Sequence, residues 1–153
     1  MYSVKADLWV KIAPLSKPKT NISACNIDNK FISAIAGCDN TQKYFNDIDK
    51  YIIETDQWEN VDVLGHSDFI PRIDTMSQQI NYNTILIAGG HNAKDGYLQE
   101  TCILSIKENQ IQIEKTFPNG LAFINPSAVV FSEELYAIGS ARNKYKIMKY
   151  SMN

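Results

Sequence analysis

The sequence predicts an all-β fold assembled from a repeated unit of about fifty residues. Three observations predict it. Apolar runs are short, mostly four to seven residues, and rich in Ile, Val, Tyr and Phe, the composition of pleated, half-buried strands. Turn-prone pairs bound many of them: Asp28-Asn29, Asp56-Gln57, Tyr82-Asn83 and Asn109-Gln110. Small or glycine residues recur after an apolar strand at Gly37, Gly89 and Gly139. Strand candidates are residues 30–36 (KFISAIA), 84–88 (TILIA) and 127–131 (SAVVF). No segment keeps an apolar i, i+3, i+4, i+7 pattern over three turns, which disfavours helix.

The period follows from the glycines. Gly37, Gly89 and Gly139 are 52 and 50 residues apart. Pro18-Lys19 lies nineteen residues before Gly37, and Pro71-Arg72 lies eighteen before Gly89. Tyr51 and Trp58 follow Gly37 by fourteen and twenty-one residues, and Leu104 and Ile111 keep those positions apolar after Gly89, shifted by one. Tyr2 and Trp9 repeat the seven-residue separation of Tyr51 and Trp58.

These features resemble the kelch repeat, with its Pro-Arg-like opening, a second strand ending in Gly-Gly, a third carrying Tyr, and a Trp opening the fourth. Here the matching residues are Pro71, Gly89, Gly90, Tyr51 and Trp58, with Trp9 and Tyr150 at equivalent places in the flanking units. Cys38 and Ser140 replace the second glycine, and the middle unit lacks both Tyr and Trp. The resemblance implies a kelch-type β-propeller fragment of about three four-stranded antiparallel blades. Residues 1–15 are the end of one blade, 16–63 a second, 64–117 a third and 118–153 the start of another. The glycines and aromatics read as scaffold: glycine tolerates backbone conformations that a Cβ blocks, and the Trp residues fill the wedge between blades.

Propellers close with about four to eight blades, so a chain of this length does not close a ring alone. Further blades come either from a longer protein containing this segment or from a second copy.

Composition narrows function by exclusion. A length of 153 residues suits one domain, and a formal charge of −2 gives no reason to expect nucleic acid or an anionic membrane as partner. No apolar run reaches the length of a membrane span. The start MYSVKADLWV lacks a secretory apolar run, and Cys25, Cys38 and Cys102 form no CxxC pair, so a cytoplasmic, reduced protein is expected. Cys25 and Cys102 fall in strands and read as small buried residues. His66 and His91 sit in separate loops and do not make a metal set. Glu54, Asp56, Glu133 and Glu134 fall in turns, where solvated charge is the plain reading. No phosphate loop, nucleophile elbow or helix-borne metal motif is present, so neither catalysis nor a cofactor is expected.

Strand alternation puts the second-to-third-strand loops and the inter-blade loops on one face. The first set is roughly 38–46, 91–98 and 140–144; the second is 13–21, 64–73 and 116–121. They carry Lys17, Lys19, Lys43, Arg72, Lys94, Arg142 and Lys144 against Asp39, Asp68 and Asp95, seven minus three or +4, and His91 lies among them. The expected function is a protein-interaction module or scaffold presenting this basic face to an acidic peptide or protein surface. The resemblance adds adaptor, cytoskeletal or ciliary scaffolding as options. The other reading is a fragment of a kelch-type enzyme whose catalytic residues lie in blades outside this chain.

Overall fold

The computed structural model describes residues 1–65, 68–107, 110–118, 124–141 and 144–151. It is all-β, in four successive groups of strands. β1 (Tyr2–Ser3) and β2 (Leu8–Trp9) form a short hairpin. β3 (Ser23–Ile27), β4 (Phe31–Ile35), β5 (Ile48–Ile52) and β6 (Gln57–Leu64) form an antiparallel meander. β7 (Met76–Asn81), β8 (Thr84–Ala88), β11 (Glu100–Lys107) and β12 (Gln110–Pro118) form a second, with a small hairpin of β9 (His91–Asn92) and β10 (Gly96–Tyr97) in its middle connection. β13 (Ile124–Phe131), β14 (Glu134–Ala141) and β15 (Lys144–Ser151) make a three-stranded sheet.

β6 and β12 pair in parallel over three residues, so the two meanders join along their outer edges into one eight-stranded sheet. That sheet folds back until its end strands meet: Ser23 and Ser77 share a hydrogen bond of 2.7 Å, and the Gln79 amide donates to Asp28 at 2.7 Å. Inside lies the main core, with Ile27, Ile35 and Ile48 of the first meander against Ile85, Ile87 and Leu104 of the second and Phe69 of the connection between them. Burying each such side chain contributes about 1.5–3 kcal/mol. A second core joins the other face of the second meander (Met76, Leu86, Ala88) to Leu135 and Ala137 of β14. Each layer therefore needs its neighbour, because a sheet apolar on both faces is stable only between two others.

Turn chemistry explains the hairpins. Asp28 and Asn29 both take positive φ (51° and 55°), as a tight two-residue hairpin turn requires. Asp7 and Asp56 share φ 52° and close equivalent hairpins: Tyr2 pairs with Trp9, and Tyr51 with Trp58. In each the Tyr hydroxyl donates to that Asp.

The glycine register is shifted from the sequence reading. Gly37 and Gly90 both have φ 101°, while Ala36 (59°) precedes the first and Gly89 (67°) the second. Gly37 thus corresponds to Gly90 rather than Gly89, and the spacing is 53 residues. This removes the one-residue offset at Leu104 and Ile111. A bulge in β11 nonetheless opposes Leu104 to Ile113 and Ile111 to Ile106. Gly139 does not end a strand; it lies within β14, which spans Glu134–Ala141, opposite Lys146 of β15.

Gly90 should be hard to replace. A Cβ there would stand 2.8 Å from the Ile73 carbonyl oxygen at φ 101°, so Gly90→Ala is expected to cost about 1–3 kcal/mol in urea unfolding. Asp56 is held below the usual carboxylate range by the Ala13 amide and the Tyr51 hydroxyl. The stability it contributes is present above pH about 3.9 and is lost as pH falls through its lowered pKa. Asp56→Asn should therefore flatten the acid limb of the stability profile, as read by unfolding melts from pH 7 down to about 3.

Candidate functional site

The residues 36–47 and 89–98 loops converge on the connection between the two meanders, residues 65–75. The Gly37 amide donates to the Arg72 carbonyl at 2.9 Å and the Arg72 amide to Phe45 at 3.1 Å. On the other side Ile73 and His91 exchange backbone bonds of 2.9 and 3.0 Å. Side chains reinforce the threading: Asn46 donates to the Phe69 carbonyl at 2.8 Å, and Asn92 to the Pro71 carbonyl at 3.1 Å. The residues 10–22 segment joins the same face through Thr20, which exchanges backbone bonds with Cys38 at 2.8 and 3.0 Å.

The two loops share one design. Phe45 N–H donates to Gly37 at 2.8 Å, as Leu98 N–H does to Gly90 at 2.9 Å. Asp39 Oδ1 accepts from the amides of Thr41 and Lys43, and Asn92 Oδ1 from those of Lys94 and Asp95. These Asx-type turns are local side-chain substitutes for backbone pairing. With Gly96 at φ 71° they fold 91–97 into the β9–β10 hairpin.

Between the loops runs a groove of about 470 Å³ floored by Phe69, Ile70 and Pro71, with Tyr44 and Asn46 on one wall and Asn92 and Lys94 on the other. His91 is half-buried between Tyr97 (ring centroids 5.0 Å apart) and Tyr44 (6.4 Å). This row combines large rigid contact surface with polar edges, the composition that interaction sites favour. A second concavity of about 450 Å³ follows the first strands, lined by Asn26, Ser77 and Gln79 among others. Among the described residues no group of three His, Cys, Asp or Glu could hold a metal.

The predicted basic face needs correction at two residues. Arg72 is a core residue with no exposure. Its guanidinium donates to the carbonyls of Ile70 (2.8 Å) and Gly89 (3.1 Å), pairs with the Glu100 carboxylate and stacks over Phe69. Lys19 has a fully buried side chain, bonded to Asp47 at 2.6 Å and Asp49 at 2.5 Å. Both sit 53 residues apart beside the repeat's proline, so the Pro-Lys and Pro-Arg pairs supply an internal ion pair rather than surface charge. Lys17 is exposed but lies 3.4 Å from Asp47. Lys43 and Lys94 are exposed on the loop face. Arg142 and His66 lie outside the described residues; Lys144 begins β15, and its side chain and that of Tyr150 are outside them too. Tyr44 and Tyr97 were not singled out in the sequence, although their 53-residue spacing is the signal that links them.

Of the structural positions, Tyr51 is buried and Trp58 half-buried, whereas Trp9 is 80% exposed. Asp56 is not a merely solvated turn acid, since it accepts from Tyr51 and from the Ala13 amide at 2.7 and 2.8 Å. Cys25, Cys38 and Cys102 are all buried.

No protein-family model matches the chain, and no curated protein does. Among solved structures, that of YjhT is similar, with a TM-score of 0.65 and 14% identity over 94% of this chain. The likeness shows a shared fold. The chain spans 55% of the YjhT chain.

Arg72→Met should cost about 3–5 kcal/mol in chemical unfolding, because it leaves the Glu100 carboxylate without its guanidinium. Lys43→Ala and Lys94→Ala should each stay within about 0.5 kcal/mol of wild type.

Proposed function

We propose that the chain is a segment of a kelch-type β-propeller, about three blades long, that works as a protein-interaction module of the adaptor or scaffold kind. Its groove holds an extended, acid-bearing segment of a partner protein. The observation that carries this reading is the convergence of two similarly built loops on one groove lined by Tyr44, Asn46, Lys94 and Asp95, with His91 and Tyr97 continuing the aromatic row from Tyr44 and Lys43 exposed on the same loop face. The kelch reading is supported by the repeated hairpins of Tyr2–Trp9 and Tyr51–Trp58, and by the matched ion pairs of Lys19 and Arg72. Three buried cysteines with no CxxC pair fit work in a reducing compartment such as the cytoplasm.

Rigid aromatic anchors lose little entropy on binding. Two lysines contribute attraction that is strongest at low salt. The acidic preference therefore rests on Lys43 and Lys94 alone, with Asp39 and Asp95 standing against them on the same two loops.

A display library of short peptides selected on the immobilised protein tests this. Acid-rich sequences should be enriched, and Tyr97→Ala and Lys94→Glu should each weaken the best of them about tenfold or more, about 1.4 kcal/mol. Selection of basic and acidic peptides alike, or binding indifferent to both substitutions, would sink the reading.

A further inference from the structure

The floor of the groove is already paired with this chain. The carbonyls of Phe69, Ile70 and Pro71 accept from the Asn46 side chain (2.8 Å), Arg72 Nε (2.8 Å) and the Asn92 side chain (3.1 Å). Those of Arg72 and Ile73 accept from the amides of Gly37 (2.9 Å) and His91 (3.0 Å). Five consecutive carbonyls are thus engaged from within. The amides of Arg72 and Ile73 donate to Phe45 and His91, and Pro71 has no N–H to give. The wall strands β9 and β10 are two residues each. A partner that adds a β-strand needs a continuous row of unpaired backbone groups, and this floor does not supply one.

What the groove presents instead is ring surface and side-chain donors. Ile70 and Pro71 are half-buried on the floor, Tyr44 is half-buried on the wall, and Tyr97 stands 52% exposed at the end of the row through His91. Among the described residues the Tyr44 and Tyr97 hydroxyls and the Lys94 ammonium have no partner within the chain. The other polar side chains of the groove face one another. Asn92 Oδ1 accepts from the amides of Lys94 and Asp95, and Asn92 Nδ2 donates to Pro71 and to Asp95 Oδ2 at 3.1 Å each. A ligand that suits this surface carries carbonyl acceptors, apolar rings and few N–H groups. A polyproline II segment has that composition. It makes no internal hydrogen bonds, so its carbonyls face outwards, and each proline brings no N–H to desolvate.

We propose that the groove holds a proline-rich segment of a partner protein in the left-handed polyproline conformation. Its rings lie on Pro71, Tyr44 and the row through His91 and Tyr97, its carbonyls accept from the tyrosine hydroxyls, and an acidic residue beside the prolines meets Lys94. The inference rests on the peptide-binding reading of the groove given above and adds the backbone conformation that it selects. A β-strand would bring N–H groups against carbonyls already engaged, and a buried donor left unpaired is costly. A helix keeps its own carbonyls occupied and leaves the tyrosine hydroxyls to side chains alone. A proline segment arrives with φ already fixed, which lowers the cost of ordering it.

Random peptides displayed against the immobilised chain, followed by fluorescence anisotropy on the tightest one made synthetically, provide the test. Proline should be enriched in the selected pool over the starting library. Replacing the prolines of the synthetic peptide by alanine should raise Kd about tenfold or more. Tyr44→Phe and Tyr97→Phe keep each ring and remove its hydroxyl; each should weaken the peptide about threefold, the size of one lost hydrogen bond. Far-UV circular dichroism should show both variants folded as wild type is. A pool no richer in proline than the library, no selection at all, an alanine peptide that binds as tightly, or indifference to both hydroxyls would overturn the proposal. The two readings of the groove separate cleanly. Acid-rich peptides without proline would sink this inference and leave the acidic preference standing, whereas proline-rich peptides selected regardless of charge would do the reverse.

Discussion

The structure depends on a buried cation that appears twice. Lys19 and Arg72 each follow a proline, each lose all side-chain exposure, and each pair with an acid at the start of a third strand: Asp47 ahead of β5 and Glu100 opening β11. A buried charge is tolerated only when its partners are fixed. That requirement holds the connecting segment against the two strand ends it must meet. Arg72 also donates to the carbonyls of Ile70 and Gly89, which positions the strand-ending glycines where no Cβ could fit. The glycines, the cation and the acid therefore form one constraint, repeated every 53 residues.

The groove is a consequence of that constraint. Because residues 69–73 are fastened on both sides, the loops at 36–47 and 89–98 stand as fixed walls. Their tips are stiffened by Asx-type turns at Asp39 and Asn92, so the rings of Tyr44, His91 and Tyr97 are presented without a large ordering cost. The same chemistry removes charge from the face. Lys19 and Arg72 point inwards, and their acids neutralise them there. What remains outside is aromatic and amide surface with Lys43, Lys94 and Asp95 at its margin.

Layering governs the rest. The second meander is covered on both faces, by the first meander and by β13–β15. The outermost layers each retain a face that resembles an internal one in composition. Tyr51 and Trp58 are covered by residues of a preceding segment, while Tyr2 and Trp9 form the same pair in the open.

Much of the fold was legible in the sequence. Short β-branched runs marked the strands at 31–35 and 84–88, and Asp-Asn and Asp-Gln pairs marked hairpin turns, because strand alternation and turn conformation are local properties. The likeness of the two meanders was legible too, though aligned one residue off at the double glycine, since Gly37-Cys38 and Gly89-Gly90 look alike as letters; Gly139, read as the third such position, lies inside β14. Only the backbone angles distinguish Ala36-Gly37 as the true match. Solvent access was not legible. Arg72 and Lys19 looked like surface cations and Asp56 like a solvated acid. Whether a charge faces water depends on what packs over it from residues 28 positions away, as Glu100 and Asp47 do. The sequence by itself determined the strands and the turns and came within a residue of the spacing between the two meanders; the tertiary structure decided that register, which polar residues are internal and which make the groove, because burial is a property of assembled layers.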